Sequence, residues 1–151
     1  MSTYFAIDRA AIDYPKCFTS EEQQLAAGYD FLALSGDQVP SSLIQQWEEL
    51  RGKKWKIHAN SWVMFILKND KVVSTMYVTH KDNIGTFHAA FTLLEHRYNG
   101  FYKYFLYNGM GYLIEQGVSR FEVDTDKEHL WRVWRRLAFE QVDMVNKITK
   151  G

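Results

Sequence analysis

The sequence predicts a single α+β domain built around a mixed β-sheet, and three observations lead to this prediction. A chain of 151 residues, 46% of them apolar, is enough to bury one core. Only two prolines occur, and no low-complexity or repeated segment marks a linker. Hydrophobic patterns follow the order helix, hairpin, long strand, helix, strand, helix, strand. We therefore expect one domain over residues 1–151.

The first forty residues show the least regular pattern and predict one short helix. Thr19 and Glu22 have the spacing of a capping box, which would begin a helix over Glu21–Ala27. A second helix is expected after Pro40, where apolar residues recur at helical spacing as far as Gly52.

The middle of the chain changes to strand patterns. Trp62–Leu67 and Val72–Thr79 are rich in β-branched and aromatic residues and are joined by a short polar turn, which predicts an antiparallel hairpin. After a second polar turn, Thr86–Leu94 is apolar and long enough to form a central strand.

The last part of the chain predicts a helix with an unusual glycine content. The helix covers Tyr102–Gln116 and contains Gly109 and Gly111, each of which costs about 1 kcal/mol relative to alanine in a helix. We expect the helix backbone to pack closely against a neighbour there. Three elements follow: a strand over Ser119–Asp124, a helix capped by Thr125, and a strand within Phe139–Lys147.

The composition limits the classes of partner and the compartment. Eighteen basic residues balance eighteen acidic residues, so no overall field attracts nucleic acid or an anionic membrane. Cys17 is the only cysteine, which excludes an intrachain disulfide and fits a reducing compartment. The longest apolar run, Trp62–Leu67, is far shorter than the roughly 18 residues that span a bilayer. We expect a cytoplasmic protein with no membrane partner.

The turn Arg97–Tyr102 is the strongest candidate for a binding site. It lies between the predicted long strand and the helix that follows, and it contains Gly100, which is free to adopt a positive φ. A strand, a tight turn and a helix start together direct several backbone N–H groups at one point, and the helix dipole adds to the attraction for an anion. The turn is therefore predicted to hold a phosphate group.

This turn and the order of elements around it resemble the GNAT superfamily of coenzyme A-dependent N-acyltransferases over roughly residues 60–148. The pyrophosphate loop of that family reads Arg or Gln, two residues, Gly, one residue, Gly or Ala, and here Tyr102 takes the last position. The resemblance implies a mostly antiparallel sheet, flanked by helices and splayed between its fourth and fifth strands. It also implies acyl transfer, with acetyl-CoA or another acyl-CoA as co-substrate and no metal, to an amine that attacks directly.

The resemblance further implies which residues hold the co-substrate. The backbone of the segment Phe91 to Leu94 would pair with the pantetheine arm, and Phe91, Leu93 and Leu94 are the main candidates for this contact. The loop residues would bind the pyrophosphate, and these are Arg97, Tyr98, Asn99, Gly100, Phe101 and Tyr102.

Two catalytic roles follow from the same resemblance. His88 stands where many members carry the carboxylate that binds the amine-deprotonating water, and imidazole can serve near neutral pH. Trp134 stands where members often carry the tyrosine that protonates the thiolate, and an indole cannot do this. The acid is therefore expected to be Tyr98, Tyr102 or solvent, and Tyr98 is the catalytic candidate.

Other interpretations remain open. A catalytically inactive GNAT-like module that binds a protein or a nucleic acid is favoured by Trp134 and Tyr102, and an unrelated α+β ligand-binding domain is a third interpretation. The acceptor amine, small molecule or macromolecule, is not specified, and a homodimer is compatible with the sequence. His80, His88 and His96 fall at equal intervals, but this spacing is not typical of a metal site.

Overall fold

The computed structural model describes residues 3–11, 13–14, 16–57, 60–88, 90–125, 137 and 140–142. Within these residues, eight strands form one sheet in the order β2-β3-β4-β5-β7-β1-β8, and β6 pairs with β4. The strands are β1 (Thr3–Asp8), β2 (Asp30–Ser35), β3 (Ser61–Lys68), β4 (Lys71–Lys81), β5 (Ile84–Phe87), β6 (Phe91–Thr92), β7 (Arg120–Thr125) and β8 (Glu140–Val142). The described helices are α1 (Ser41–Arg51) and α2 (Phe101–Glu115), with short 3₁₀ turns at Arg9–Ala11, Gly36–Gln38 and Leu94–His96.

The sheet is mixed and mostly antiparallel, as predicted. Among the described pairings, only that between β5 and β7 is parallel. Parallel neighbours need a crossover connection, and α2 lies in the segment that joins the two strands. The loop before α2 is therefore held beside the one parallel pair of the described sheet.

The two faces of the sheet carry separate cores because alternate side chains of a strand point to opposite sides. On one face, α2 buries Phe105, Leu106, Met110 and Leu113 against Met64, Ile66, Met76, Val78, Phe87, Phe121 and Val123. On the other, α1 buries Leu43 and Trp47 against Val63, Phe65 and Val72. We call these the α2 face and the α1 face.

Several predicted elements are confirmed. The helix after Pro40 is α1, and it ends at Gly52, which adopts a left-handed conformation with φ 66°. The predicted hairpin is β3–β4, and its turn residues Asn69 and Asp70 have φ of 52° and 66°, as a two-residue turn that matches the strand twist requires. Ser119–Asp124 corresponds to β7.

The expected close packing at Gly109 is also confirmed. A Cβ atom at Gly109 would lie 3.1 Å from Cγ1 of Val78 and 3.3 Å from Cε of Met64. The glycine lets the backbone of α2 approach the sheet, and this approach explains why a residue with poor helix propensity lies in the middle of the helix.

The prediction of a helix over Glu21–Ala27 is wrong. The capping-box hydrogen bonds form, since Thr19 N–H donates to Glu22 Oε1 at 2.9 Å and Glu22 N–H donates to Thr19 Oγ1 at 3.2 Å. The chain then continues as turns. Formation of the first helical turn is unfavourable in free energy, and a helix this short does not offset that cost unless it buries an apolar face.

The prediction of a single long strand over Thr86–Leu94 is also wrong, because this segment is divided between β5 and β6. Val78 is opposite Phe87 and Thr75 is opposite Phe91. The segment between Phe87 and Phe91 therefore has one residue more than the facing segment of β4, which is the pattern of a β-bulge. The strand ends before Leu94, which begins a 3₁₀ turn.

The ends of the chain complete the sheet. The sequence did not predict β1, which lies between β7 and β8. The predicted final strand is present as β8, and the rest of Phe139–Lys147 lies outside the described residues. The helix predicted after Thr125 also lies outside them, apart from Leu137, which is buried in the core on the α2 face.

Candidate functional site

The sheet opens between β6 and β7. The parallel pairing of β5 with β7 runs from Ile84 opposite Arg120 to Phe87 opposite Val123. Beyond this point β6 pairs with β4, while the end of β7 pairs with β1. Within the described residues, the pairing with β7 therefore stops at Phe87 and Val123, and β6 and β7 are not paired with each other. The gap between β6 and β7 is the splay that the resemblance implied. We call it the wedge.

The bulge determines which backbone groups face the wedge. Leu93 N–H donates to Val73 O at 2.9 Å, so the amide of Leu93 faces β4. Successive residues of a strand alternate, so the backbone of Thr92 faces the wedge. Thr92 O accepts a hydrogen bond from Arg97 Nε at 3.1 Å, which agrees with this orientation. The sequence could not show which residue of the segment Phe91 to Leu94 faces the wedge, because the alternation depends on a register that the bulge fixes.

The loop before α2 lies at the end of β6. Gly100 precedes α2 with φ 74°, and a Cβ atom there would meet nothing within 4 Å. The conformation, not crowding, therefore requires glycine, and the space beside it is open. The first intrahelical bond runs from Tyr104 N–H to Gly100 O at 3.1 Å, so the N–H groups of Phe101 and Lys103 precede the bonded turns of the helix.

Side chains on both sides fix this loop. Asn99 Nδ2 donates to His96 O at 2.9 Å. His96 Nδ1 lies 3.0 Å from the hydroxyl of Tyr29. Tyr98 has φ 68°, an uncommon value for a residue other than glycine, and its side chain is fully exposed. Tyr102 is half-buried and packs against the core on the α2 face.

His88 lies in the bulge, on the α1 face. Its ring stacks on Tyr77, with centroids 4.4 Å apart and an angle of 5° between planes. His88 Nε2 lies 2.7 Å from Thr79 Oγ1, and the backbone N–H of His88 donates to Tyr77 O at 3.0 Å. Two contacts with the ring and one with the backbone, all from β4, thus fix His88 where β5 leaves β7.

Arg51, at the end of α1, extends toward the same cluster. Its guanidinium carbon lies 5.5 Å from the ring centroid of Phe91. Burial lowers the pKa of Arg51, and interaction with Tyr77 opposes this effect. Burial raises the pKa of the Tyr77 hydroxyl, and Arg51 opposes that shift.

A buried carboxylate, Glu122, was also missed. It lies opposite Thr86 on the face away from Phe121 and Val123, and it is 8% exposed. Arg120 Nε donates to Glu122 Oε2 at 3.2 Å, and Arg120 Nη1 donates to Asp8 Oδ1 at 2.9 Å. The alternation of polar and apolar residues in β7 was the signal that could have found Glu122.

The three evenly spaced histidines make separate contacts. His80 lies near Tyr112, whereas His88 contacts Tyr77 and His96 contacts Tyr29. Among the described residues, no group of three or more His, Cys, Asp or Glu side chains could hold a metal ion. In the same part of the chain, no helix is both long and apolar enough to cross a membrane.

Neither comparison by sequence finds a relative: no family model matches the chain, and no curated protein does. Solved structures do match. A tandem GNAT protein from the clavulanic acid biosynthesis pathway has a TM-score of 0.73 at 14% identity, over 92% of this chain and 49% of its own. A GCN5-related N-acetyltransferase-like protein from Streptococcus suis has a TM-score of 0.70 at 13% identity, over 95% of this chain and 58% of its own.

A shorter enzyme matches as well. The ribosomal-protein-S18-alanine N-acetyltransferase from Escherichia coli has a TM-score of 0.62 at 9% identity, over 76% of this chain and 80% of its own. This chain thus spans about half the length of the first two proteins and most of the third. The strand order of the sheet and the wedge agree with these structural similarities. The protein therefore has the GNAT fold.

Proposed function

We propose that the protein is an acyl-CoA-dependent N-acyltransferase that transfers an acetyl or related acyl group to an amine by direct attack. The observation that carries this proposal is the wedge, where β6 and β7 separate beside the open start of α2. An extended arm with amide groups can pair along an exposed strand edge, and a helix start can bind a diphosphate.

In this proposal the co-substrate lies along β6. The backbone of Thr92 pairs with the pantetheine arm, and Phe91, Leu93 and Leu94 flank it. The diphosphate binds at the loop through backbone N–H groups from Tyr98 to Tyr102, with Asn99, Gly100 and Phe101 between them. The guanidinium of Arg97 adds positive charge at the same end.

The chemistry requires two proton transfers around one acyl transfer. The amine nitrogen forms a bond to the thioester carbonyl carbon, the carbon–sulfur bond then breaks, and backbone N–H groups at the wedge stabilise the intermediate oxyanion. A base must accept the proton of the amine, and the departing thiolate must gain one.

His88 is the proposed base. In the tautomer whose Nε2–H donates to Thr79 Oγ1, Nδ1 carries the basic lone pair and accepts the proton of the amine directly or through water. Tyr98 is the proposed acid toward the thiolate, because it belongs to the loop beside the wedge and no packing restrains its exposed side chain.

Calorimetric titration with acetyl-CoA tests the binding half of the proposal. We expect the wild-type protein to bind, and Gly100→Glu to lose at least about 100-fold in affinity, since it places bulk and negative charge at the diphosphate. Gly117→Glu is the matched control, because Gly117 lies just after α2, also with a positive φ (81°) and open space around it. The control should bind like the wild type.

Two results would contradict this placement. One is the absence of both binding heat and thermal protection at hundredfold excess of acetyl-CoA over the protein. The other is an equal loss of affinity in both glutamate variants, which would show that backbone strain and not the diphosphate is responsible.

A non-catalytic GNAT-like module that binds a protein or nucleic-acid partner is the second candidate, and one contact favours it. Arg97 Nε donates to Thr92 O at the edge that the pantetheine arm would use. If Arg97 closes the wedge, Arg97→Ala should bind acetyl-CoA more tightly. If Arg97 binds the diphosphate, as we propose, the same variant should bind more weakly.

A further inference from the structure

Arg51 lies within one continuous cluster that includes the proposed base. Its guanidinium lies 5.5 Å from the ring centroid of Phe91 and interacts with Tyr77, whose ring stacks on His88. Phe91 lies in β6, which borders the wedge, Tyr77 lies in β4, which pairs with β6, and His88 lies in the bulge between β5 and β6. A group bound by Arg51 would therefore lie on the side of the sheet from which an amine reaches His88.

Arg51 has no carboxylate partner within the described residues. The ion pairs there join Lys16 to Asp13, Lys103 to Glu22, and Arg120 to Asp8 and Glu122. Glu48, one turn earlier in α1, accepts the backbone N–H of Trp55 at 2.9 Å through Oε2.

The position of Arg51 favours an anion from outside the described structure. The side chain is half-buried, and this burial lowers the pKa of its guanidinium. A cation removed from water without a counterion costs free energy, which a bound anion would offset. The guanidinium presents a planar set of donors that matches both oxygens of a carboxylate.

We propose that Arg51 binds a carboxylate carried by the acceptor, so that the substrate class is amines that also bear a carboxylate group. This inference rests on the proposed function, because it names the acceptor of the same site. The ring of Phe91 borders the space between the two polar ends of such a molecule, and its apolar face suits the methylene groups that join them.

The test uses a series of ω-amino acids from glycine to 6-aminohexanoate, each paired with its neutral carboxamide. Acyl transfer from acetyl-CoA is followed by release of the free thiol. We expect the best carboxylate to exceed its carboxamide at least about 10-fold in kcat/KM, because truncation of a charge-assisted contact costs affinity on this scale.

Substitutions of Arg51 test whether its side chain is responsible for the preference for a carboxylate over a carboxamide. Arg51→Met should abolish the preference for carboxylate over carboxamide, measured as the ratio of the two kcat/KM values within the variant. Arg51→Lys should retain part of it, because a lysine keeps the charge without the planar fork. Lys53→Met is the matched control, since it removes the same charge from an exposed residue two positions later. It should keep the full preference.

Binding of the same series is also measured by calorimetry without an acyl donor. Carboxylate-selective binding that disappears in Arg51→Met supports the inference even if no acyl transfer occurs, a result that would reject the proposed function alone. If the wild type binds carboxylates and carboxamides with equal affinity and acylates them with equal kcat/KM, the inference is overturned, whereas the proposed acyltransferase function still stands. Selectivity that survives in Arg51→Met also overturns it.

Discussion

At the residue scale, the neighbours of His88 determine the orientation of its ring and therefore the role that it can have in proton transfer. Its contacts with Thr79 and Tyr77 fix the ring at the bulge. If His88 is the base, His88→Ala should lower kcat by about 10² to 10⁴ while the dissociation constant of acetyl-CoA changes little. Thr79→Val, which removes only the hydroxyl at Nε2, should lower kcat less. Steady-state kinetics and calorimetry measure the two quantities.

His80 provides the control for this prediction. It is half-buried in β4 and lies near Tyr112, away from the His88 cluster. His80→Ala should therefore keep the wild-type kcat. An unchanged kcat in His88→Ala would remove His88 from the mechanism.

Tyr14 gives a prediction about alkaline pH. Its hydroxyl donates to Tyr107 O at 3.1 Å, and burial raises its pKa above the ordinary value of 10.0. Burial also raises the pKa of Tyr77 and of Tyr112. Above about pH 10 an unfolded tyrosine releases its proton while the folded one keeps it, so the unfolded state binds fewer protons and the free energy of unfolding falls as pH rises.

Urea unfolding between about pH 8.5 and 11 measures this slope. Tyr14→Phe should flatten the fall, and below about pH 9 it should cost about 1 kcal/mol for the lost hydrogen bond. Tyr98→Phe, at a fully exposed side chain, is the control and should leave the curve unchanged. A Tyr14→Phe slope equal to that of the wild type would contradict the assignment.

At the scale of elements, Gly109 fixes the distance between α2 and the sheet. A side chain there would collide with Val78 and Met64, whose atoms already lie 3.1 and 3.3 Å from the position of a Cβ atom. We expect Gly109→Val to destabilise the protein by about 1–3 kcal/mol through overpacking. Glu115→Val places the same residue at an exposed position of α2 and should cost less than about 1 kcal/mol. Urea unfolding compares the two, and equal costs would show that helix propensity and not packing is decisive.

Elements whose evidence is local were predictable from the sequence. The helix α1 and the β3–β4 hairpin carry their own periodicity and turn residues, and Gly100 was identified from the strand, turn and helix around it. The bulge between β5 and β6 was not predictable, because an inserted residue leaves the apolar run unbroken and appears only in the register against β4.

The features of the site that the sequence did not reveal share one cause. Thr92 faces the wedge because of the bulge, Arg51 reaches Phe91 because α1 packs on β3 and β4, and Glu122 pairs with Arg120 beside β1. Each of these roles depends on contact between segments far apart in the chain. Periodicity within a segment contains no information about such contacts.

At the scale of the whole molecule, β1 links the two ends of the described chain. It pairs with β7 from Thr3 opposite Thr125 to Asp8 opposite Arg120, and on its other side it pairs with β8. Phe5 is fully buried and Ile7 is 7% exposed, so the strand also contributes to the core on the α2 face. The position of β1 in the interior of the sheet means that β7, one wall of the wedge, depends on the beginning of the chain.

Removal of residues 1–11 should therefore prevent cooperative folding. The loss of Phe5 alone is expected to cost about 3–5 kcal/mol, a large part of the roughly 5–15 kcal/mol that stabilises a typical domain. Deletion of the strand also removes the backbone partners of β7 and β8 and takes Asp8 from Arg120. Near-UV circular dichroism and urea unfolding measure the effect, with Ala10→Ser, at an exposed residue just after β1, as the control that should unfold like the wild type. If the shortened chain unfolds at the wild-type urea concentration, β1 is dispensable, and the wedge must be held open by α2 and by the pairing of β5 with β7 alone.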